Sequence, residues 1–450
     1  MLRWLLILLS VGAAAAWCQT VPQSLESKRL SPASGTDKQI QSLQAQTKAE
    51  PGNYLSYNAL GSAFFQKARE TGDISYYGLA EQSLKEAIDA APRDFRAADP
   101  LVNLASVYMG EHRFSDALSY AQKAIGLGSG NLAAFAIEGD AYTDMGDYDR
   151  AASAYNAAQT LGQTTSSPLA VAYMTDSRLA YLRFLHGDGP ESIRLMNSAI
   201  AAALQINVSG ENLAWLYFEL GERYFQSGGL ESAALAYQAG ITADGDHYRS
   251  LAGLAKVRAA QGKFDESIQL YQRSLAIIPF PAYVAELGDV FKKAKRVAEA
   301  HQQYDLVEYI GHLGMLNQVL ANRELAVFYA DQGIKLPEAV ELARKELELR
   351  HDIYTWDALA WTLYRNDRLQ EAAEASDRAI ALHTNDSMIL FHAGMIYHGL
   401  GKDLDAENFL ARALKTNPHF HVFFADAAAQ TLEEISRSRN QDLRSSHADR

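Results

Sequence analysis

Several groups of residues in this chain have the types that do chemistry, and each fails on spacing or context. Gly126-Leu127-Gly128-Ser129-Gly130 has the glycines of a phosphate-cradling loop. It lacks a preceding strand and the Lys-Ser/Thr pair that reaches phosphate and magnesium, so a turn is expected there. His419-Phe420-His421 and the pair His392 and His398 offer imidazoles. The pair is six residues apart, which puts its members on different faces of a helix. No acidic ligand stands at metal-like spacing beside either group. His351-Asp352 fits the end of one element and the start of the next. Carboxylates are plentiful, but no pair is set in an evident cleft for acid–base work. No Gly-x-Ser-x-Gly elbow is present. A single cysteine, Cys18, leaves neither a disulfide framework nor a Cys-based zinc site. The chain is therefore expected to catalyse nothing and to need no metal or cofactor.

What remains is binding, and the composition says by what kind of body. With 48% hydrophobic and 21% charged residues the chain can bury a core. Only 11 of the 450 residues are proline, and alanine is very common, which favours helix. A net charge of -13 has the wrong sign for neutralising phosphates, so nucleic acid is not an expected partner.

The N-terminus has the form of an export signal. Arg3 precedes an apolar run from Trp4 to Trp17, and Ala14 to Ala16 offer a small-residue cleavage site. The run is shorter than the roughly 20 residues a bilayer span needs. Residues 1–18 are thus expected to be removed, leaving an exported chain, periplasmic or secreted, with no stable membrane span. Lipidation at Cys18 is the alternative, with Trp17 standing where lipid transfer wants a small residue. Residues 19–50 are expected to be a spacer with a short helix near Asp37–Glu50, where Ile40, Leu43 and Thr47 share a face.

The main signal is self-similarity at a period near 34. Leu213-Ala-Trp-Leu-Tyr-Phe-Glu-Leu-Gly-Glu-Arg-Tyr224 and Met388-Ile-Leu-Phe-His-Ala-Gly-Met-Ile-Tyr397 both place a small residue three before Tyr. A turn with Gly228 or Gly401 follows, then a second helix carrying Ala233 and Tyr237, or Ala406 and Leu410. The small residue opening the second helix recurs at Ala117 and Ala151, at Ala233, Ser267 and Ala300, and at Ala372 and Ala406, in steps of 33 or 34. This pattern resembles the tetratricopeptide repeat. Tyr57, Leu60, Gly61 and Phe64 with Ala80, Leu84, Ala87 and Pro92 carry it, as do Tyr217, Leu220, Gly221 and Tyr224, and Trp356, Leu359 and Ala360. The resemblance implies an all-α fold, a right-handed superhelical solenoid of about ten helix-turn-helix repeats over 51–418. Residues 419–436 are expected to form a capping helix and 437–450 a frayed tail. Irregularities fall near 165–212, where the turn is Gly187-Asp188-Gly189-Pro190, and near 309–320, where Gly311-His312-Leu313-Gly314 is expected to be a linker. The first repeat shows about seven extra residues around Thr71 to Gly78.

The resemblance also implies a function and where it resides. First helices of such repeats line a concave groove that binds a protein or peptide. Carried onto this chain, the groove-facing positions give a cationic set, Arg249, Lys256, Lys292 and Lys293, suited to a carboxylate. Nearby Asp289 offsets part of it. They also give an aromatic set: Tyr354, Asp357, Trp361, Tyr364 and Arg365, then Met388, Phe391, Met395 and His398. Tyr, Trp and Arg carry binding energy when desolvated at an interface, and Met adds an adaptable surface. A C-terminal helix lying over this set is the competing expectation. Trp215, Phe218 and Phe225 repeat the theme, with core packing as the alternative. The expected function is a scaffold outside the cytoplasm; binding of a small molecule, glycan or metal, or an enzyme on a helical-repeat frame, are the alternatives. The source is expected to be bacterial.

Overall fold

Turns with a residue at positive φ cut the chain into short helices, and small residues let those helices cross closely. The computed structural model describes residues 35–165, 168–316 and 322–448. The signal segment and the start of the spacer lie outside the described residues. A leading helix α1 (Gly35–Ala49) buries Leu43 and Thr47. Ten helical hairpins follow in the described residues: α2 (Tyr54–Thr71) with α3 (Ser75–Ala90), α4 (Ala98–Gly110) with α5 (Phe114–Gly126), and α6 (Leu132–Asp144) with α7 (Tyr148–Thr165). Next come α8 (Pro168–Leu185) with α9 (Gly189–Gln205), α10 (Gly210–Gln226) with α11 (Leu230–Ala243), and α12 (Tyr248–Ala260) with α13 (Phe264–Ile277). The last four are α14 (Pro281–Lys293) with α15 (Val297–Leu316), α16 (Asn322–Gln332) with α17 (Leu336–Leu347), α18 (Ile353–Arg365) with α19 (Leu369–Ala379), and α20 (Ser387–Gly399) with α21 (Asp403–Thr416). A long helix α22 (Phe424–Ala448) closes the chain. The described residues hold no strand.

Each hairpin is fixed by the contact its pattern requires. At Gly221 a Cβ would lie 2.4 Å from the Tyr237 ring, and at Gly139 it would lie 2.2 Å from the Tyr155 ring. The missing side chain is filled by an aromatic from the second helix, which brings the two helices into close packing. Helix starts are capped where the sequence has Asp or Asn. Asp352 accepts from the Tyr354 and Thr355 N–H groups at 2.8 and 3.0 Å, and Asp386 accepts from Met388 and Ile389 at 2.9 and 3.3 Å.

The irregular stretches resolve into helix. The extra residues of the first repeat lengthen α2 and α3, leaving only a short turn at Gly72–Ile74. Pro190 sits in the first turn of α9, where no N–H is needed, and Asp188 caps that helix by accepting from Glu191 at 3.2 Å. The expected linker at Gly311–Gly314 is instead part of α15, with Gly311 against Leu325. The final helix begins at Phe424, later than residue 419, and continues past 436 to Ala448. Ion pairs from Arg437 to Glu433 and from Arg439 to Glu407 hold its surface there.

First helices of successive hairpins touch one another along nearly all of the array, while second helices barely meet. The array therefore curves with first helices inside. It curves tightly enough for its edges to meet: the turn of one hairpin lies against the junction that follows the hairpin five places later. Ile353 donates its N–H to the Tyr148 hydroxyl at 3.0 Å, the Asn385 amide donates to the Gly187 carbonyl at 2.9 Å, and the Asn417 amide donates to the Phe225 carbonyl at 2.8 Å. Arg69 of the first hairpin also pairs with Glu211, at the start of the fifth, at 2.6 Å. The superhelix is closed along this seam.

Candidate functional site

The inner face is built from the first helices and is dense in charge, and its acids are positioned by tyrosines from the second helices. Tyr155 donates to Asp140 at 2.9 Å, Tyr271 to Glu286 at 2.7 Å and Tyr304 to Asp289 at 2.7 Å. Tyr237 does the same for Glu222 at 2.5 Å. A phenol that fills the crossing thus also orients a carboxyl group toward the axis.

The expected cationic set is not a free positive groove. Lys256 lies 3.4 Å from Glu222 and over the Phe225 ring. Burial draws its ammonium pKa down, but Glu222 and Glu286 more than offset this and hold it above the usual value. Arg249 is removed from the other three and lies over Tyr248 and Phe280. Lys293 donates to the Val422 carbonyl and to Asp426, both at 2.7 Å. Lys292 is exposed and lies 5.4 Å from the Phe423 ring. The positive charge expected to await a ligand is largely taken up within the chain.

The aromatic set is likewise covered. Trp361 is 3% and Phe391 1% exposed. Both pack with Phe420 and Phe424, where the chain passes from α21 into α22. Apolar surface of this size is more stable against α22 than in water. Tyr364 stacks on Trp361, and Arg365 lies 5.5 Å from that ring. Met395 accepts from Thr431 of α22. Tyr354 stands apart and donates to Asp386 at 3.3 Å. Phe225 and Phe218 are buried core as well. Of the histidines, His392 sits 2.9 Å from Asp357, and His398 2.7 Å from Asp403. His421 accepts the Phe423 and Phe424 N–H groups on Nδ1.

Between these two sets lies an open cavity of about 430 Å³. Phe225, Lys256 and Ala260 form one side, Glu286, Asp289 and Lys293 another. The segment Pro418–Val422 forms the third. This strap is not helical and runs along the inner face of α14. Glu286 is half-buried, and burial pushes its carboxyl pKa above the usual carboxylate range. Glu286 did not stand out in the sequence, and His419-Phe420-His421 of the strap did so only as imidazoles. A carboxyl fifteen residues before a second-helix Tyr, as at Tyr155, Tyr237 and Tyr304, is the signal that would have found Asp140, Glu222 and Asp289, whereas Glu286 lies fifteen residues after Tyr271.

Fold and inner face together define a class: an all-α superhelical array of tetratricopeptide-type hairpins. The family model of the tetratricopeptide repeat matches residues 102–168, 218–283 and 358–419. The unmatched hairpins between these stretches include the two regions of irregular spacing. The chain matches no curated protein sequence. Among solved structures it is similar to the APC/C hetero-tetramer Cut9-Hcn1 (12% identity, covering 92% of this chain and 98% of that one, TM-score 0.32). It is also similar to yeast Tom70 (11%, 91% and 97%, TM-score 0.42). A third is a tetratricopeptide repeat protein from Parabacteroides merdae (14%, 59% and 99%, TM-score 0.34). None is near enough to carry an inference about this chain. No described helix is long and apolar enough to cross a membrane.

Proposed function

We propose that the protein is an exported, non-catalytic adaptor that holds a peptide segment of a protein partner in the cavity between α12, α14 and the strap. One observation carries the reading: this face already holds a non-helical stretch of polypeptide. Lys293 binds the Val422 carbonyl, and Asn417, just before the strap, binds the Phe225 carbonyl. An inner surface that satisfies backbone groups beside apolar walls is equipped for a peptide. Of the residues singled out by sequence, Lys256, Lys293 and Met388 line this cavity together with Phe225, Asp289 and His419 to His421, and Lys292 is at its rim beside Phe423. Export rests on the basic, apolar and small-residue order of residues 1–18.

The test is affinity capture from cell envelopes with the mature chain and with Ala260→Trp, which fills the cavity. Circular dichroism checks that the variant folds. Partners recovered by the parent and lost by the variant are expected. An identical set from both would sink the site, and recovery of uncleaved chain from the cytoplasm alone would sink the export.

A further inference from the structure

The acids of the inner face follow a rule that breaks at one hairpin. Asp140 of the third hairpin is held by Arg178 of the fourth at 2.8 Å. Glu222 of the fifth is paired with Lys256 of the sixth at 3.4 Å. Asp357 of the ninth faces His392 of the tenth at 2.9 Å. Each carboxylate draws its basic partner from the next hairpin along. In the seventh hairpin the next hairpin supplies no base, and the nearest imidazole, His421, comes from the strap at 3.4 Å. Asp289 receives from the eighth only the neutral Gln332 amide, at 3.4 Å. Its other neighbours are the Tyr304 hydroxyl and the Nε2 of His421, whose Nδ1 is occupied as an acceptor. Glu286 accepts only the Tyr271 hydroxyl among the described residues.

The cavity lies at this gap. Glu286 and Asp289 both line it, and its two lysines are engaged, Lys256 by Glu222 at hydrogen-bond distance with Glu286 acting on it from further off, and Lys293 by Asp426. Phe225, Phe264, Met388 and Phe420 give it an apolar wall, with Gln226, His419 and His421 among the polar residues that complete the lining. At about 430 Å³ it is within the usual range for a ligand site. A carboxylate, the ligand suggested by the lysines alone, would meet two acids inside the cavity, with Lys292 outside at its rim.

We infer that the cavity takes a lysine or arginine side chain of the partner, its apolar stem along the aromatic wall and its cationic head between Glu286 and Asp289. The incoming head group supplies the base that the eighth hairpin does not. Ionised acceptors make such hydrogen bonds short and strong, and burial keeps solvent from competing. A cation beside Glu286 would also reverse the rise that burial imposes on its carboxyl pKa. This deepens the adaptor reading by naming the partner's chemistry.

Calorimetric titration of the full chain with acetyl-Ala-Lys-Phe-amide, acetyl-Ala-Arg-Phe-amide, acetyl-Ala-Glu-Phe-amide and cadaverine tests it. A basic peptide should bind, and the Glu peptide should bind about tenfold or more weakly than it, the worth of one buried charge-assisted contact. Glu286→Gln keeps the shape and the Tyr271 bond and should weaken the basic peptide by a similar factor at an unchanged melting temperature. Ala260→Trp should abolish binding. Equal binding of acidic and basic peptides, indifference to Glu286→Gln, or no binding by any probe would overturn the inference. Cadaverine binding without peptide binding would support the cation site and count against the adaptor. Cavity-dependent capture of proteins with no binding of basic probes would do the reverse.

Discussion

His247 shows how one side chain sets a pH response. It caps α12, its Nδ1 accepting the Ser250 N–H at 3.3 Å, and the residue is 3% exposed. Burial, aided by Arg249 and Arg69, draws its pKa down to about 3 from the usual 6.5. Between those values the unfolded chain takes up a proton that the folded chain refuses, so stability falls as pH drops below about 6.5. Asp331 runs the other way. Burial lifts its pKa to about 6 from 3.8, so the folded chain keeps a proton the unfolded one releases, and that contribution is lost as pH rises through 6. Replacing His247 with Asn retains a capping acceptor and removes the titration. Urea unfolding at pH 7, 6 and 5 should show the parent losing up to about 2 kcal/mol more than His247→Asn between pH 6.5 and 5. Parallel pH profiles would refute the assignment. At this scale the sequence told only part of the story. Gly221 and Tyr237 announced their crossing because their types and spacing are local. The partners of Lys256 and Lys293 did not, because Glu222 lies one hairpin back and Asp426 is 133 residues on.

The turns illustrate what a single element must satisfy. Gly146, Gly187 and Gly228 all adopt positive φ and stand 41 residues apart. A Cβ on each would lie 2.4 to 2.7 Å from a backbone carbonyl of His351, His383 or Thr416. Gly262 has nearly the same φ, 74° against 77° for Gly187, and open space around it. The comparison separates two costs. Gly262→Ala should lose only the conformational part, about 1 kcal/mol. Gly187→Ala should lose that and the seam contact, for about 2–3 kcal/mol or more, since a backbone carbonyl yields less than a side chain. Thermal melts of both variants decide it, and equal losses would mean the seam bears no load at that turn. The hairpins themselves were legible from the 34-residue spacing. The stretch near 165–212 read only as irregular, because nothing local to Gly187 shows that His383 will pack on it.

Across the whole molecule the closure changes how the array should behave. An open solenoid is held by contacts between neighbouring repeats alone, so a weakened repeat loosens itself and those beside it. Here the fifth hairpin is tied to the end of the tenth by the buried Asn417 amide on the Phe225 carbonyl, 192 residues apart. The strap that follows ties the same end to α14 through Lys293. Fold class needed only the repeat, but this topology depends on the angle between successive hairpins, which small packing differences set and no motif records. Its consequence can be measured by native-state hydrogen exchange on Asn417→Ala. Loss of that bond removes one of two hydrogen bonds on the Phe225 carbonyl, which keeps the Gly228 N–H at 2.9 Å, at a cost of about 0.5–1.5 kcal/mol. Amide protection should fall around α20 and α21 and, together with it, at the end of α10 and in α11, while α4 to α7 keep theirs. Loosening confined to the last hairpins would show an array coupled only to its neighbours. A paired loss across the seam would show one cooperative unit, in which any partner seated between α12, α14 and the strap stabilises both turns of the superhelix at once.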